Sequence, residues 1–307
     1  MKVAKVLCPT DFSPCAGQAL EVAVLVARSF GAELHVLHGI VLHAADPHSA
    51  VHHLPNLEEI QAILQRAAAS ALAEDIAPHA DGTLRIVEVQ RRAPFAGEAI
   101  LNYAEEIGAD LIVMGTHGRR GLSHLLLGSV ANEVVRRAPC PVMTVRPRPD
   151  GAHLRAIDRI LVPVDFSKAA NAALAAARDL AVAWTATLDV LHVIEETVMP
   201  AFYAAGVTSL LQLDPEIRTR CQAELSRRVE RLGGPSVVAN AHVREGKAAQ
   251  QIVAFAAEQA SDLIVLATAG RTGVERLLLG SVAEKVVRLA PCPVLVVRPE
   301  DDEEAGS

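Results

Sequence analysis

Hydrophobic residues along this chain come in short runs separated by longer stretches of helical spacing, and the alternation is completed twice. Each half opens on an apolar run that ends in a near-identical turn, KVLCPTDFS from Lys5 and RILVPVDFS from Arg159, which predicts a first strand. Apolar positions three and four apart then predict helices over about Pro14 to Phe30 and Lys168 to Ala183. The runs AELHVLHGI and ATLDVLHVI predict second strands. Glu58 to Glu74 and Pro215 to Leu232 have amphipathic helical spacing, and the strands TLRIVEVQ and SVVANAHV follow them. A third helix over about Phe95 to Ile107 and Ala248 to Gln259 leads into the most apolar runs, ADLIVMG and SDLIVLA. A loop, a fourth helix starting at Ser129 or Ser281, and a closing strand, PVMTVRP or PVLVVRP, complete each half. Strand thus alternates with helix throughout, and right-handed crossovers turn that order into a parallel, doubly wound sheet. The expected fold class is α/β, as two tandem doubly wound domains.

The two halves are copies. The stretch from Gly118 to Pro147 recurs from Gly270 to Pro299 and matches at 21 of 30 positions without a gap. A length of 307 residues agrees with two domains at roughly 150 each. The expected boundaries are 1–147 for the first domain, 148–157 for a linker within RPRPDGAHLRAI, 158–300 for the second domain, and 301–307 for a disordered acidic tail.

Composition narrows the core chemistry. The chain is 51% hydrophobic but only 3% aromatic, so its core is built from Ala, Val, Leu and Ile, as expected of buried parallel strands under Ala-rich helices. A net charge of -7 argues against a nucleic-acid partner. No run of about 18 apolar residues predicts a membrane span, and Met1 leads directly into a strand, so a cytoplasmic protein is expected. Cys140 and Cys292 fall at the same place in the two APCPV copies and read as small buried hydrophobes. Cys8 and Cys15 have no counterparts in the second half, which excludes a shared disulfide framework.

In a doubly wound sheet the ligand lies beyond the carboxyl ends of the strands, where strand order reverses. Two repeated loops are candidates for that place. One carries Asp11 or Asp165, and the other carries Gly115, Gly118, Gly128 and Ser129. Glycines permit close backbone approach, and Gly128-Ser129 precedes a helix whose free N–H groups and positive dipole end attract an anion. Ser281-Val-Ala-Glu284 also fits a capping box, and Ser129, with Asn132 at the equivalent place, fits a plain cap. For the serine alone, cap and phosphate contact remain alternatives. The glycine spacing and a carboxylate suited to ribose hydroxyls favour a phosphate-bearing ligand. Neither the G-x4-G-K-[ST] phosphate loop nor the G-x-G-x-x-G dinucleotide fingerprint is present.

At these residues the chain resembles the universal stress protein family in its tandem form. Gly115, Gly118, Gly128 and Ser129 meet the family pattern G-x2-G-x9-G-[ST], and the PTDFS and PVDFS turns, LHV strand ends and PCPVxxVRP closings match as well. The resemblance implies five parallel strands per domain in the order 3-2-1-4-5, with helices on both faces. It also implies binding of ATP, or of ADP or AMP, with Mg²⁺ as a companion ion. The aspartate would hold ribose and the glycine-rich loop the phosphates. The implied first site comprises Pro9, Asp11, Gly39, Gly115, Gly118, Arg119, Gly128, Ser129 and Val130. The second comprises Pro163, Asp165, Val193, Ala267, Gly270, Gly280, Ser281 and Val282. Ala267 departs from the pattern, and a methyl there costs about 1 kcal/mol or more if the backbone needs positive φ or touches the ligand. Nucleotide is therefore expected first in domain 1. Gly39 stands where the second copy has Val193, so base packing is expected to be looser there.

A nucleotide-responsive regulator of the stress response is the leading functional reading. A nucleotide-independent scaffold is the alternative, and slow ATP hydrolysis a further one, since the sequence names no residue to activate water. An ATP pyrophosphatase-like enzyme would need a serine-glycine-rich loop after the first strand, which PTDFSPCAG does not resemble. The closing strands, Pro141 to Arg146 and Pro293 to Arg298, are expected to pair as an internal pseudo-dimer, with a homodimer as a further step. His43, His48, His52 and His53, with Asp46, form a weak metal candidate read as a solvated loop, because the second copy has no histidine there. His117 and Arg119 are read as loop residues, Arg136, Arg137 and Arg288 as complements to helix ends, and His35 and His38 as packed or surface strand residues and not catalytic bases.

Overall fold

The computed structural model describes residues 1–41, 57–118, 127–147, 154–195, 214–231, 237–267 and 279–298. The histidine-rich stretch with His43, Asp46, His48, His52 and His53 lies outside the described residues, as do Arg119 and Gly270. The chain divides into two compact units, Lys2–Arg155 and Ala156–Ser307.

In the first unit β1 (Lys5–Pro9), α1 (Pro14–Phe30), β2 (Glu33–Val41), α2 (Leu57–Ile76), β3 (Ile86–Ala93), α3 (Ala96–Ile107), β4 (Leu111–Gly115), α4 (Ser129–Arg137) and β5 (Val142–Val145) follow one another. The second repeats the plan with β6 (Arg159–Pro163), α5 (Lys168–Trp184), β7 (Thr187–Ile194), α6 (Ile217–Arg231), β8 (Ala239–Glu245), α7 (Ala248–Glu258), β9 (Leu263–Ala267), α8 (Ser281–Leu289) and β10 (Val294–Val297). Every strand pair described within a unit is parallel, and the orders are β3-β2-β1-β4-β5 and β8-β7-β6-β9-β10. This is the topology that the alternation and the family resemblance predict.

The central strands are apolar on both faces because helices cover both. Right-handed crossovers put α1 and α2 on one face and α3 and α4 on the other, where α3 packs against α4. Ala16, Ala19, Ala23 and Ala27 are buried along α1, and such small side chains let a helix axis approach the sheet closely. Ser13 caps α1 by accepting from the Ala16 N–H, and Gly31 ends it at φ 61°. Ser167 caps α5 in the same way.

The outer strands differ in their ends from the pattern-based expectation, with β8 running to Glu245 and not Val243. TLRIVEVQ predicts a strand ending at Gln90, yet β3 runs on through Arg91 and Arg92, which pair in register with Gly39 and Ile40. As the outermost strand of its unit, β3 tolerates charged side chains that a central strand would not. Arg91 reaches Glu106 and lies over the Tyr103 ring at 4.8 Å, and Arg244 on β8 lies over Phe255 at 4.7 Å.

Candidate functional site

The turn after the first strand of each unit is strained in the same place. Phe12 has φ 62° and Phe166 φ 65°, a left-handed conformation that costs a bulky residue roughly 1–3 kcal/mol. Local hydrogen bonds help to impose it. Asp11 Oδ1 accepts from the Ser13 N–H at 3.1 Å, Thr10 Oγ1 accepts from the Phe12 N–H at 3.0 Å, and Asp165 Oδ1 accepts from the Ser167 N–H at 3.0 Å.

A histidine from the neighbouring strand fastens each turn. The His38 ring lies 4.4 Å from that of Phe12, and His192 lies 4.2 Å from Phe166. His38 Nδ1 donates to the Thr10 carbonyl at 2.9 Å and His192 Nδ1 to the Val164 carbonyl at 2.8 Å. A carbonyl only accepts, so the proton sits on Nδ1 in both rings. The Phe and His pair was not singled out from sequence as part of the site. Its signal was available, because both residues recur in the DFS turn and the LH strand end of each copy.

The glycine-rich loop closes on this turn from β4. A β-carbon placed on Gly118 would lie 2.5 Å from Asp11 Oδ2, so the carboxylate sits directly against the loop backbone. Gly128 donates its N–H to the Thr116 carbonyl at 2.9 Å, and a β-carbon there would lie 2.9 Å from that same oxygen. Gly128 is needed for close approach to backbone, a side chain at Gly118 would have to displace the Asp11 carboxylate, and neither glycine adopts positive φ. Thr116 is held in turn by its N–H to the Val145 carbonyl at 2.9 Å.

The helix cap differs from the sequence expectation. Gly128, at φ -59°, is the N-cap of α4, and Gly280, at φ -58°, is that of α8. Neither helix has a side-chain cap bond. Ser129 and Ser281 therefore stand inside the first turn, both exposed, and Ser281 with Glu284 does not form the capping box its spacing suggests. The Asn132 and Glu284 N–H groups bond instead to the Gly128 and Gly280 carbonyls, both at 2.9 Å. An exposed serine on an uncapped helix start leaves hydroxyl and dipole both available to an anion.

Gly115 is explained by packing. Its φ is not in the positive region, so of the two conditions that would make a methyl costly there, the conformational one does not hold, and a β-carbon on it would lie 2.8 Å from Cys15 Sγ and 3.2 Å from the Cys15 carbonyl carbon and oxygen. Cys15, near the start of α1, donates its thiol to the Val145 carbonyl at 3.4 Å. Burial pushes that thiol's pKa up, while the backbone N–H groups of His117 and Thr116 oppose the shift. The second unit has Ala169 in place of Cys15 and Ala267 in place of Gly115. The extra methyl on β9 thus coincides with the loss of the sulfur that would meet it. Strand pairing is the same on both sides, Gly115 with Val145 and Ala267 with Val297.

Other predicted residues fall around this edge. Pro9 is buried and Pro163 half-buried, while Val130, Val193 and Val282 are half-buried. A β-carbon on Gly39 would meet Ala99 Cβ at 3.6 Å, an ordinary contact, so α3 does not force glycine there. His117 Nδ1 lies 2.8 Å from Thr116 Oγ1, which joins it to the loop floor. Among the described residues no group of His, Cys, Asp and Glu is arranged to hold a metal, and no helix is long and apolar enough to cross a membrane.

Comparison with known proteins agrees with this geometry. The family described as "Universal stress protein family" matches residues 2–146 and 156–298. Universal stress protein MJ0531 of Methanocaldococcus jannaschii is 35% identical over 141 residues, covering 46% of this chain and 81% of that protein. Universal stress protein Rv2005c of Mycobacterium tuberculosis is 34% identical over 199 residues, covering 62% of each chain. A crystal structure of a universal stress protein from Archaeoglobus fulgidus DSM 4304 covers 97% of this chain and 97% of its own, with a TM-score of 0.69 at 23% identity, a likeness of fold.

Proposed function

The chain belongs to the universal stress protein family, and on that premise we propose that it is a cytoplasmic, stress-responsive regulator that binds an adenine nucleotide, ATP foremost. Asp11 takes the ribose hydroxyls. The N–H groups around Gly118 and Gly128, Arg119 and the Ser129 hydroxyl take the phosphates at the start of α4. Pro9, Gly39 and Val130 border the base. Mg²⁺, when bound, would neutralise phosphate charge beside Asp11 and Ser129, the oxygen donors suited to a hard cation.

The observation that carries this reading is the contact of the two loops, in which the Asp11 carboxylate lies against the Gly118 backbone. One loop supplies an oriented acceptor and the other a donor-rich helix start, and they meet where strand order reverses. The second unit carries the corresponding Pro163, Asp165, Val193, Gly270, Gly280, Ser281 and Val282. Its Ala267 is matched by Ala169, which relieves the packing side of that substitution, and we extend the proposal to both units.

Calorimetric titration of the whole chain with ATP, ADP and AMP tests the reading. Two binding events are expected for the wild type. Gly118→Val, which drives a side chain into Asp11, removes one, and Gly270→Val removes the other. No heat and no thermal shift with any of the three nucleotides would overturn it.

A further inference from the structure

We infer that Arg228 is a positioning residue for the second unit's ligand site, holding the strained Asp165–Phe166 turn in the form that presents the Asp165 carboxylate. The inference rests on the nucleotide reading above. Arg228 projects from α6, where Glu224 of the same helix holds its Nε, and turns both Nη atoms toward that turn and the start of α5. Nη2 donates to the Phe166 carbonyl at 3.1 Å, Nη1 to Asn171 Oδ1 on α5 at 2.7 Å, and Nε to Glu224 Oε1 at 3.0 Å. The same group lies over the Phe166 ring, 5.0 Å from its centroid.

One side chain therefore fixes both the carbonyl and the ring of the residue whose backbone is strained. A residue at φ 65° has a lower-energy conformation available, and reaching it requires the adjoining peptide to rotate. Holding carbonyl and ring together opposes that rotation. His192 meets the same ring at 4.2 Å and Asp165 Oδ1 is tied to the Ser167 N–H, so the carboxylate follows the turn. Only arginine has the planar fork to serve three acceptors while stacking on an aromatic face. Asn171, Leu174, Glu224, Arg228 and Arg231 line a solvent-open cavity of about 300 Å³, so shortening Arg228 enlarges an existing opening instead of creating a hole in dry core.

The test uses the full chain carrying Gly118→Val, which silences the first site, titrated with ATP and with 2′,3′-dideoxy-ATP. Arg228→Gln is expected to weaken ATP about fivefold, the effect of one lost hydrogen-bonded contact, and Arg228→Lys to fall between. The dideoxy nucleotide gives Asp165 no ribose hydroxyl to hold, and its affinity is expected to stay the same. In an Asp165→Ala background, Arg228→Gln is expected to have no further effect on ATP. Equal weakening of both nucleotides would mark a merely structural role and overturn the inference. So would unchanged ATP affinity in a chain that still binds. Failure of the Gly118→Val chain to bind ATP with Arg228 intact would instead overturn the reading of the second site on which the inference stands.

Discussion

Cys15 and Gly115 fit together by size: the sulfur stands 2.8 Å from where a β-carbon on Gly115 would lie, and the second unit has alanine at both positions. Two substitutions a hundred residues apart in each copy are thus one packing exchange. Gly115→Ala alone is expected to destabilise the first unit by about 1–3 kcal/mol through overpacking. The double variant Cys15→Ala/Gly115→Ala should recover the part of that loss due to the sulfur, leaving the 3.2 Å approach to the Cys15 backbone. Denaturant unfolding of the three chains decides it, and equal midpoints for the single and double variants would count against the exchange.

His38 ties β2 to the turn by its ring stack and by the Nδ1 bond to the Thr10 carbonyl. His38→Ala should destabilise the first unit by about 1–2 kcal/mol and weaken ATP there several-fold, because Phe12 is then free to leave its left-handed conformation. Thermal unfolding and nucleotide titration check the two effects separately. Unchanged affinity would show that the turn keeps Asp11 in place without the histidine.

Burial holds the His35 imidazole below its ordinary pKa, even though the Glu33 carboxylate lies 3.2 Å away. Folding therefore favours the neutral ring, and the unfolded chain takes up the proton first as pH falls. Stability from this group is complete above about pH 6.5 and declines below it. His35→Phe should flatten that acid slope, read as thermal midpoints between about pH 5 and 7. The second unit has Asp189 at this place and does not share this histidine contribution.

Burial pushes the Cys8 thiol up to about 12, and Cys15, Cys140 and Cys292 are buried as well. Cys221 is half-buried. Thiol labelling of the folded chain at about pH 8 should therefore modify Cys221 first and leave Cys8 unmodified until the chain unfolds, since the thiolate is the reactive form. Rapid labelling of Cys8 in the native chain would contradict its burial.

Much of this architecture was legible along the chain, because strand and helix periods are local and the repeat allowed each copy to check the other. The predicted start of α1 at Pro14 and its end at Phe30 stand as read, since Ser13 and Gly31 signal them within a residue or two. The end of β3 is not legible locally, because Arg91 and Arg92 are charged and only the strand's place at the margin of its unit makes that charge tolerable. The same limit applied to the serines. Ser281 with Glu284 has the spacing of a capping box, but spacing does not say which residue the backbone uses as cap, and the close approach of Gly128 to the Thr116 carbonyl gives that place to glycine in the first unit.

By itself, then, the sequence determined the alternation of strands and helices, the duplication and the residue types at the candidate site. These are set by neighbours a few positions apart or by direct comparison of the copies. Tertiary structure decided why the residues matter. It put Asp11 against Gly118, Cys15 against Gly115 and Arg228 against Phe166, contacts between segments far apart in sequence that depend on how the elements of each unit pack together. Steric volume and hydrogen-bond geometry are properties of those meetings, and a linear pattern does not contain them.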